Sequence, residues 1–279
     1  MSLRFGVLTE PALPWPELVS HWQEAERLGF DTAWVIDHFM SLGGPDDRPY
    51  YEGWTLLAGL AAVTTRIRLG VMVTGNTYRN PALLAKQAVT VDHISGGRLE
   101  LGLGAGWAER EHAAYGFDFP GPRERVDRFA EAVEVVNRLQ REERSTFTGR
   151  YYRLDDAPFE PKPLQTPRLP LMVGAKGPRM LALTAHYADF WNTRRSPEEA
   201  GELSRALDEH CRAIGRDPST LVRSVLPAVD VFTSLDAVRR LVDDYRAYGF
   251  TDFVFVRPTD PDQIAVMRRA ATDLFPSLR

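Results

Sequence analysis

Cysteine is almost missing from this chain: Cys211 stands alone among 279 residues. No intrachain disulfide can form, and a reducing compartment fits that composition. Lysine is scarce as well. Lys86, Lys162 and Lys176 are the only three, and arginine supplies the rest of the 34 basic residues. Against 38 acidic residues this leaves a net charge of −4, so no general nucleic-acid or anionic-membrane surface is expected. No run reaches the ~18–20 apolar residues that cross a bilayer. Met1 to Phe5 enters a strand pattern at once, without the apolar stretch of a signal peptide, and the expectation is a cytoplasmic protein. No linker or low-complexity tract divides the chain, which reads as one domain over residues 1–279. Metal motifs are absent too. Glu109-Arg110-Glu111-His112 is not His-Glu-x-x-His, no His-x-His follows a strand, and no metal is expected. No Gly-x-Ser-x-Gly elbow is present, and a hydrolase triad is not expected.

What is present is an alternation of short apolar runs with helical periodicity. Strands are expected at Arg4–Thr9, Thr32–Asp37, Arg68–Thr74, Leu99–Gly104, Leu171–Gly174, Asp189–Thr193, within Val222–Phe232, and at Asp252–Val256. Helices are expected after Pro16, then at about Trp54–Thr64, Pro81–Ser95, Arg123–Arg141, Pro178–Tyr187, Pro197–Ile214, Leu235–Tyr248 and Pro261–Leu274. Prolines open several of them, and Gly29, Gly96-Gly97 and Gly249 close others. Ser145–Asp156 reads as an inserted β-ribbon around Gly149-Arg150. Strands that are apolar throughout and alternate with helices predict a parallel sheet buried on both faces. Eight such units in this length predict an α/β fold, a closed (β/α)8 TIM barrel.

Barrels of this kind carry their chemistry at the C-terminal strand ends. The residues leaving each strand are therefore the candidates. The second strand delivers Asp37-His38, a pair suited either to proton transfer near neutral pH or to capping the strand end. The third ends at Thr74-Gly75-Asn76. The fourth ends in Gly102-Leu103-Gly104-Ala105-Gly106-Trp107, where missing side chains permit either close approach of a flat ligand or tight strand packing. The fifth runs into Gly174-Ala175-Lys176-Gly177-Pro178-Arg179. Small residues before a proline-opened helix suit a phosphate, and two basic side chains add charge. Trp107, Phe39 and Tyr78 could wall an aromatic pocket, whereas Trp34 and Trp54 read as core.

These motifs together resemble the luciferase-like monooxygenase superfamily. The resemblance lies in Asp37-His38-Phe39, in Asn80-Pro81-Ala82-Leu83-Leu84-Ala85-Lys86, and in the run from Ser95 to Gly104. Gly106 to Gly116 is similar to the actinobacterial branch described as F420-dependent oxidoreductases, and 147–152 and 188–192 extend the match. The resemblance implies a deazaflavin, coenzyme F420, or alternatively FMN, lying across the barrel mouth. It implies His38 as the acid or base, contacts from Asp37 and Thr74, and a cofactor site extending over Ala105, Gly106, Trp107 and Arg110. The phosphate end would fall on Gly174, Ala175, Lys176, Gly177 and Arg179. A small organic substrate and a homodimer follow from the same resemblance, as does a non-proline cis peptide around Val71-Met72. The activity implied is hydride transfer; FMN monooxygenation and non-catalytic flavin binding are the alternatives. Lys176, Arg179, Arg194 and Arg195 suit the deazaflavin's long anionic tail. In one respect the chain departs from the pattern: sugar-phosphate dehydrogenases of this type carry a catalytic glutamate where Trp107 stands, which points instead to a flatter or greasier substrate.

Overall fold

The computed structural model describes residues 2–43 and 48–279. The chain opens with β1 (Arg4–Thr9), α1 (Trp15–Leu28), β2 (Thr32–Val35) and α2 (Gly53–Ala62). It continues through β3 (Arg68–Val71), β4 (Thr74–Gly75), α3 (Pro81–Ser95), β5 (Leu99–Gly104), α4 (Glu109–Tyr115) and α5 (Pro122–Arg141). A hairpin of β6 (Arg144–Thr148) and β7 (Arg153–Pro158) precedes β8 (Leu171–Gly174), α6 (Pro178–Tyr187), β9 (Phe190–Thr193) and α7 (Pro197–Ala213). Then come β10 (Val222–Val225), α8 (Leu235–Arg246), β11 (Asp252–Val256), α9 (Pro261–Arg269) and α10 (Phe275–Leu278).

The helix ends follow local chemistry. The Asn80 side chain accepts from Ala82 N at 2.8 Å and Pro81 takes the first turn, so α3 starts where its cap requires. Gly29 and Gly96, at φ 82° and 69°, close α1 and α3 in the left-handed region. Arg98 then donates to the carbonyls of Ala61, Thr64, Ile67 and Ser95 at 2.6–2.9 Å, tying the end of α2 to the end of α3.

All ladder pairs among the main strands are parallel. Around the ring the order is β1, β2, β3, β5, β8, β9, β10, β11, and β11 returns to β1. The sheet is thus a closed eight-stranded TIM barrel, as the alternation predicted. The main core fills the space between strands and helices; there Phe5 stacks on Phe275 at 3.9 Å between ring centres. A second apolar cluster of Leu8, Trp34, Met72, Met172, Phe190 and Val254 fills the barrel itself. Below it, at the N-terminal strand ends, Arg4 and Arg68 pair with Glu100 at 2.7 and 2.6 Å, and Arg4 faces Asp252 at 3.4 Å.

Three expectations need correction. The third strand does not run unbroken to Thr74: β3 stops at Val71, a cis Met72–Val73 peptide intervenes, and β4 resumes at Thr74. That bond lies one step beyond the expected Val71–Met72. The stretch between β5 and α5 is not all loop, because α4 occupies Glu109–Tyr115. Its seven residues end at Gly116 (φ 71°), too short to show a helical period. The last helix breaks at Arg269 into a π-turn over Ala270–Leu274 before α10.

Candidate active site

The mouth of the barrel is built around two buried carboxylates. Asp37, two residues past β2 and 2% exposed, receives both guanidinium nitrogens of Arg79 at 2.6 and 2.8 Å. It also accepts from Gly75 N at 2.8 Å. Arg79 reaches on to Glu52, the N-cap of α2, at 3.1 Å. A bidentate pair with a third donor satisfies a charge in a dry place. Asp37 therefore bolts the exits of β2 and β4 to the start of α2. Thr74 is fully buried and its hydroxyl accepts from Trp54 Nε1 at 3.2 Å.

The second carboxylate is Glu111 on α4, 1% exposed. Its Oε2 lies 2.7 Å from His38 Nδ1 and 2.5 Å from the Tyr78 hydroxyl. Its Oε1 accepts from Phe39 N in a very short bond and from Met40 N at 3.3 Å. Burial pushes Glu111 up, but the bonds from His38, Tyr78 and Phe39 outweigh it and hold the carboxyl below its ordinary range. Tyr78 moves the other way: burial and then the Glu111 bond raise its phenol, so it remains a donor. Next to Glu111, the fully buried His112 bonds Ala108 O at 2.7 Å through Nδ1 and Thr77 Oγ1 at 2.6 Å through Nε2.

Trp107 is 66% exposed and meets the His38 ring edge-on, centres 5.6 Å apart at 77°. With Met40, Leu42 and Arg110 it lines a cleft of about 160 Å³. Ala105 and Gly106 lead into it, half-buried. Gly106 sits at φ 86°, and a Cβ there would strike the Thr77 hydroxyl, so this position demands glycine. At Gly102 and Gly104 the absent Cβ is required by the neighbouring strand: Val71 O crowds the first and Val73 Cγ2 would lie 2.8 Å from the second. Tight strand packing is the reading the structure selects for these two. A larger cleft of about 370 Å³ lies between residues 76–80, the end of α4, Arg128 and Tyr152 of the ribbon, with Asn76 donating to the Tyr152 hydroxyl at 3.4 Å.

At the exit of β8, Gly174 lies against Val73, where a Cβ would approach Cγ2 to 3.1 Å. Ala175 is buried, donates to Asn192 O at 3.2 Å and accepts from Trp191 Nε1 at 3.0 Å. Gly177 caps α6 without any side-chain cap bond, Pro178 takes the first turn, and Lys176 is exposed. The Arg179 guanidinium is engaged on α5, bonded to Asp127 and to Arg123 O at 3.4 Å. The structure thus brings His38 and Trp107 into contact and sets Asp37 and Thr74 behind them. Gly174 is linked to that group through Val73, and Arg179 is tied to a neighbouring helix.

Sequence alone does not single out Glu111, Arg79, Thr77 or His112 as site residues, and it offers Tyr78 only as an aromatic wall. Glu111 meets His38 across 73 positions and Tyr78 across 33, so no local spacing connects them. The available signal was the density of polar residues directly after the glycine-rich strand exit. The run 109–112 reads in sequence as a failed metal motif and as part of the Gly106–Gly116 resemblance, which assigns Arg110 alone to the cofactor.

Known proteins show the same architecture. The chain superposes on a coenzyme F420 dependent tetrahydromethanopterin reductase from Methanopyrus kandleri with TM-score 0.85 at 19% identity, over 100% of both chains. It superposes on an F420-dependent secondary alcohol dehydrogenase with TM-score 0.86 at 21% identity, over 100% of this chain and 98% of that one. These two likenesses concern the fold. In sequence, an F420-dependent glucose-6-phosphate dehydrogenase from Intrasporangium calvum is 40% identical over 77% of this chain and 58% of its own length. An F420-dependent hydroxymycolic acid dehydrogenase from Mycobacterium tuberculosis is 34% identical over 77% and 59%. Pyrimidine monooxygenase RutA from Caulobacter vibrioides is 32% identical over 72% and 58%. The chain thus matches somewhat under three-fifths of the length of these relatives. The family model described as luciferase-like monooxygenase matches residues 3–271, nearly the whole barrel with its His38 exit and glycine-rich β5. On that match the chain belongs to the luciferase-like monooxygenase family.

Proposed function

We propose that this protein is an oxidoreductase that holds a deazaflavin across the C-terminal mouth of its barrel and exchanges hydride with a small organic substrate. One observation carries the reading: His38 stands at a strand exit with Nδ1 bonded to a buried carboxylate, 13% exposed and edge-on to an open tryptophan. A passive binding site has no need of such a pair. Relatives named as F420-dependent dehydrogenases support the choice of cofactor.

The residues present fit the group. The first turn of α6 has no side-chain cap, and nothing lies within 4 Å of where a Cβ on Gly177 would stand, so its backbone N–H groups suit a phosphate. Lys176 adds positive charge beside them. A bound deazaflavin supplies two-electron hydride chemistry. The protein's part is to orient and to move the proton. His38 takes a hydroxyl proton, or returns it, while Ala105, Gly106, Trp107 and Arg110 frame the cofactor. Asp37 contributes by holding the Thr74–Gly75 backbone in place. Trp107 sets an apolar wall where a sugar-phosphate enzyme of this type has a carboxylate, which favours a flat or greasy substrate. A cytoplasmic homodimer belongs to the same reading, and sedimentation of the purified protein checks the dimer.

The resemblance to RutA favours a second reading, in which FMN and oxygen replace the deazaflavin. Titration of cofactor-free protein with coenzyme F420 and separately with FMN, followed by ligand fluorescence, decides between them. Micromolar or tighter F420 binding with weak FMN binding upholds hydride transfer, and the reverse order moves the reading to a monooxygenase. A His38→Ala protein that binds either cofactor and keeps full turnover would remove the histidine from the mechanism.

A further inference from the structure

We propose that Glu111 is the positioning residue of the site: it fixes His38 as the Nδ1–H tautomer and so keeps Nε2 for the substrate's proton. The inference rests on the reading of His38 as the proton carrier. A carboxylate accepts hydrogen bonds and cannot donate them, so the nitrogen 2.7 Å from Oε2 must bear a hydrogen. The neutral ring then has its lone pair on Nε2. Glu111 is 1% exposed and is filled by four donors from two loops: His38 and the Phe39 and Met40 amides from one, Tyr78 from the other.

When an alcohol is oxidised, its C–H bond breaks with the hydride passing to the deazaflavin. Its O–H bond breaks with the proton passing to Nε2. The ring becomes a cation whose Nδ1–H still faces the Glu111 carboxylate, which stabilises the charge where it forms. Reduction of a carbonyl runs the same transfers backwards. Glu111 touches neither substrate nor cofactor in this scheme. It acts through His38.

The arrangement makes a sharp prediction for Glu111→Gln. Two backbone N–H groups, Phe39 and Met40, face Oε1, and only the amide oxygen can accept from them. The amide NH2 must then face His38 Nδ1 and donate to it. His38 is forced into the Nε2–H tautomer, and its open lone pair is lost.

The test is long-range 1H–15N correlation on histidine-labelled, cofactor-free protein in alkaline buffer, where imidazole is neutral, with the His38 signals assigned by their loss in His38→Gln. Wild type is expected to show a protonated Nδ1 and an unprotonated Nε2, and Glu111→Gln the inverse. The loaded Glu111→Gln enzyme is expected to lose about 100-fold in kcat while its cofactor Kd stays within about threefold. A wild-type His38 protonated at Nε2 overturns the proposal without any variant. A tautomer unchanged in Glu111→Gln overturns it as well. Failure of the protein to bind either cofactor would sink the oxidoreductase reading and leave the tautomer result to stand or fall separately.

Discussion

At the floor of the barrel Glu100 and Asp252 face Arg4 and Arg68; at the mouth Asp37 faces Arg79 and Glu111 faces His38. The two ends use similar charges with different supporting donors. At the floor the donors are mainly side chains. Glu100 Oε2 and Asp252 Oδ1 find no hydrogen-bond partner among the described residues. Burial dominates there and pushes the Asp252 carboxyl up to about 6, against the pull of Arg4. At the mouth backbone amides join in: Gly75 N on Asp37, Phe39 N and Met40 N on Glu111. These fixed dipoles cannot turn away, and Glu111 falls below its ordinary range despite burial. A buried carboxylate is thus a cost at one end and a firm anchor at the other, depending on whether the main chain supplies donors.

The largest break in this comparison should come from His38→Ala. Turnover is expected to fall by about 10²–10⁴-fold, on the order of 3–5 kcal/mol in barrier, with little change in the melting midpoint. Steady-state kinetics and thermal melts on one preparation check both halves. The floor should behave in the opposite way. Arg4→Ala takes the facing cation from Asp252 and one of two from Glu100, which keeps Arg68, and should cost about 3 kcal/mol of stability, the low end for a buried pair because the Arg4 side chain is 24% exposed. Cofactor affinity at the mouth should hold, so a large loss of binding would show the ends to be coupled.

Acid titration sharpens the contrast. The folded-state pKa of Asp252 is raised, so its contribution is fully present below about 4 and is lost as pH climbs through about 6. Urea melts should therefore show wild type gaining on Asp252→Asn, on the order of 2 kcal/mol, between pH 7 and pH 4. Glu111 tilts the other way. Its folded-state pKa is depressed, so its contribution is present above the ordinary carboxylate range and lost as pH falls through the folded value. A flat difference curve for Asp252→Asn would show that the floor carboxylate is not raised. The smallest effect is expected at Trp107→Ala. With the side chain 66% exposed, stability should change by under about 0.5 kcal/mol, while KM for an apolar substrate rises about tenfold.

The fold was legible where its signals are local. Asn80-Pro81 and Gly96 mark both ends of α3, and Leu99–Gly104 and Asp252–Val256 are strands over the expected residues. The cis peptide in the third strand was legible only through the resemblance and the break it accompanies was not legible, because Leu69 to Val73 carries no polar residue to mark either. Helix α4 hid because two turns cannot display a period. Within the site, His38 could be picked out because a strand exit is a place the chain announces. Its partner Glu111, and Arg79 for Asp37, could not.

The amino-acid order by itself determined the eight strand–helix units, their proline and glycine punctuation, and the exit of His38 at one end of the ring. Each of these rests on contacts within a turn or two of backbone. Only closure of the barrel decided that α4 would lay Glu111 beside His38, that Arg79 would cross to Asp37, and that the glycines of β5 would serve the neighbouring strand. Those pairings join residues 31 to 73 positions apart, and their geometry exists once parallel strands and their crossovers bring the chain ends of the sheet together.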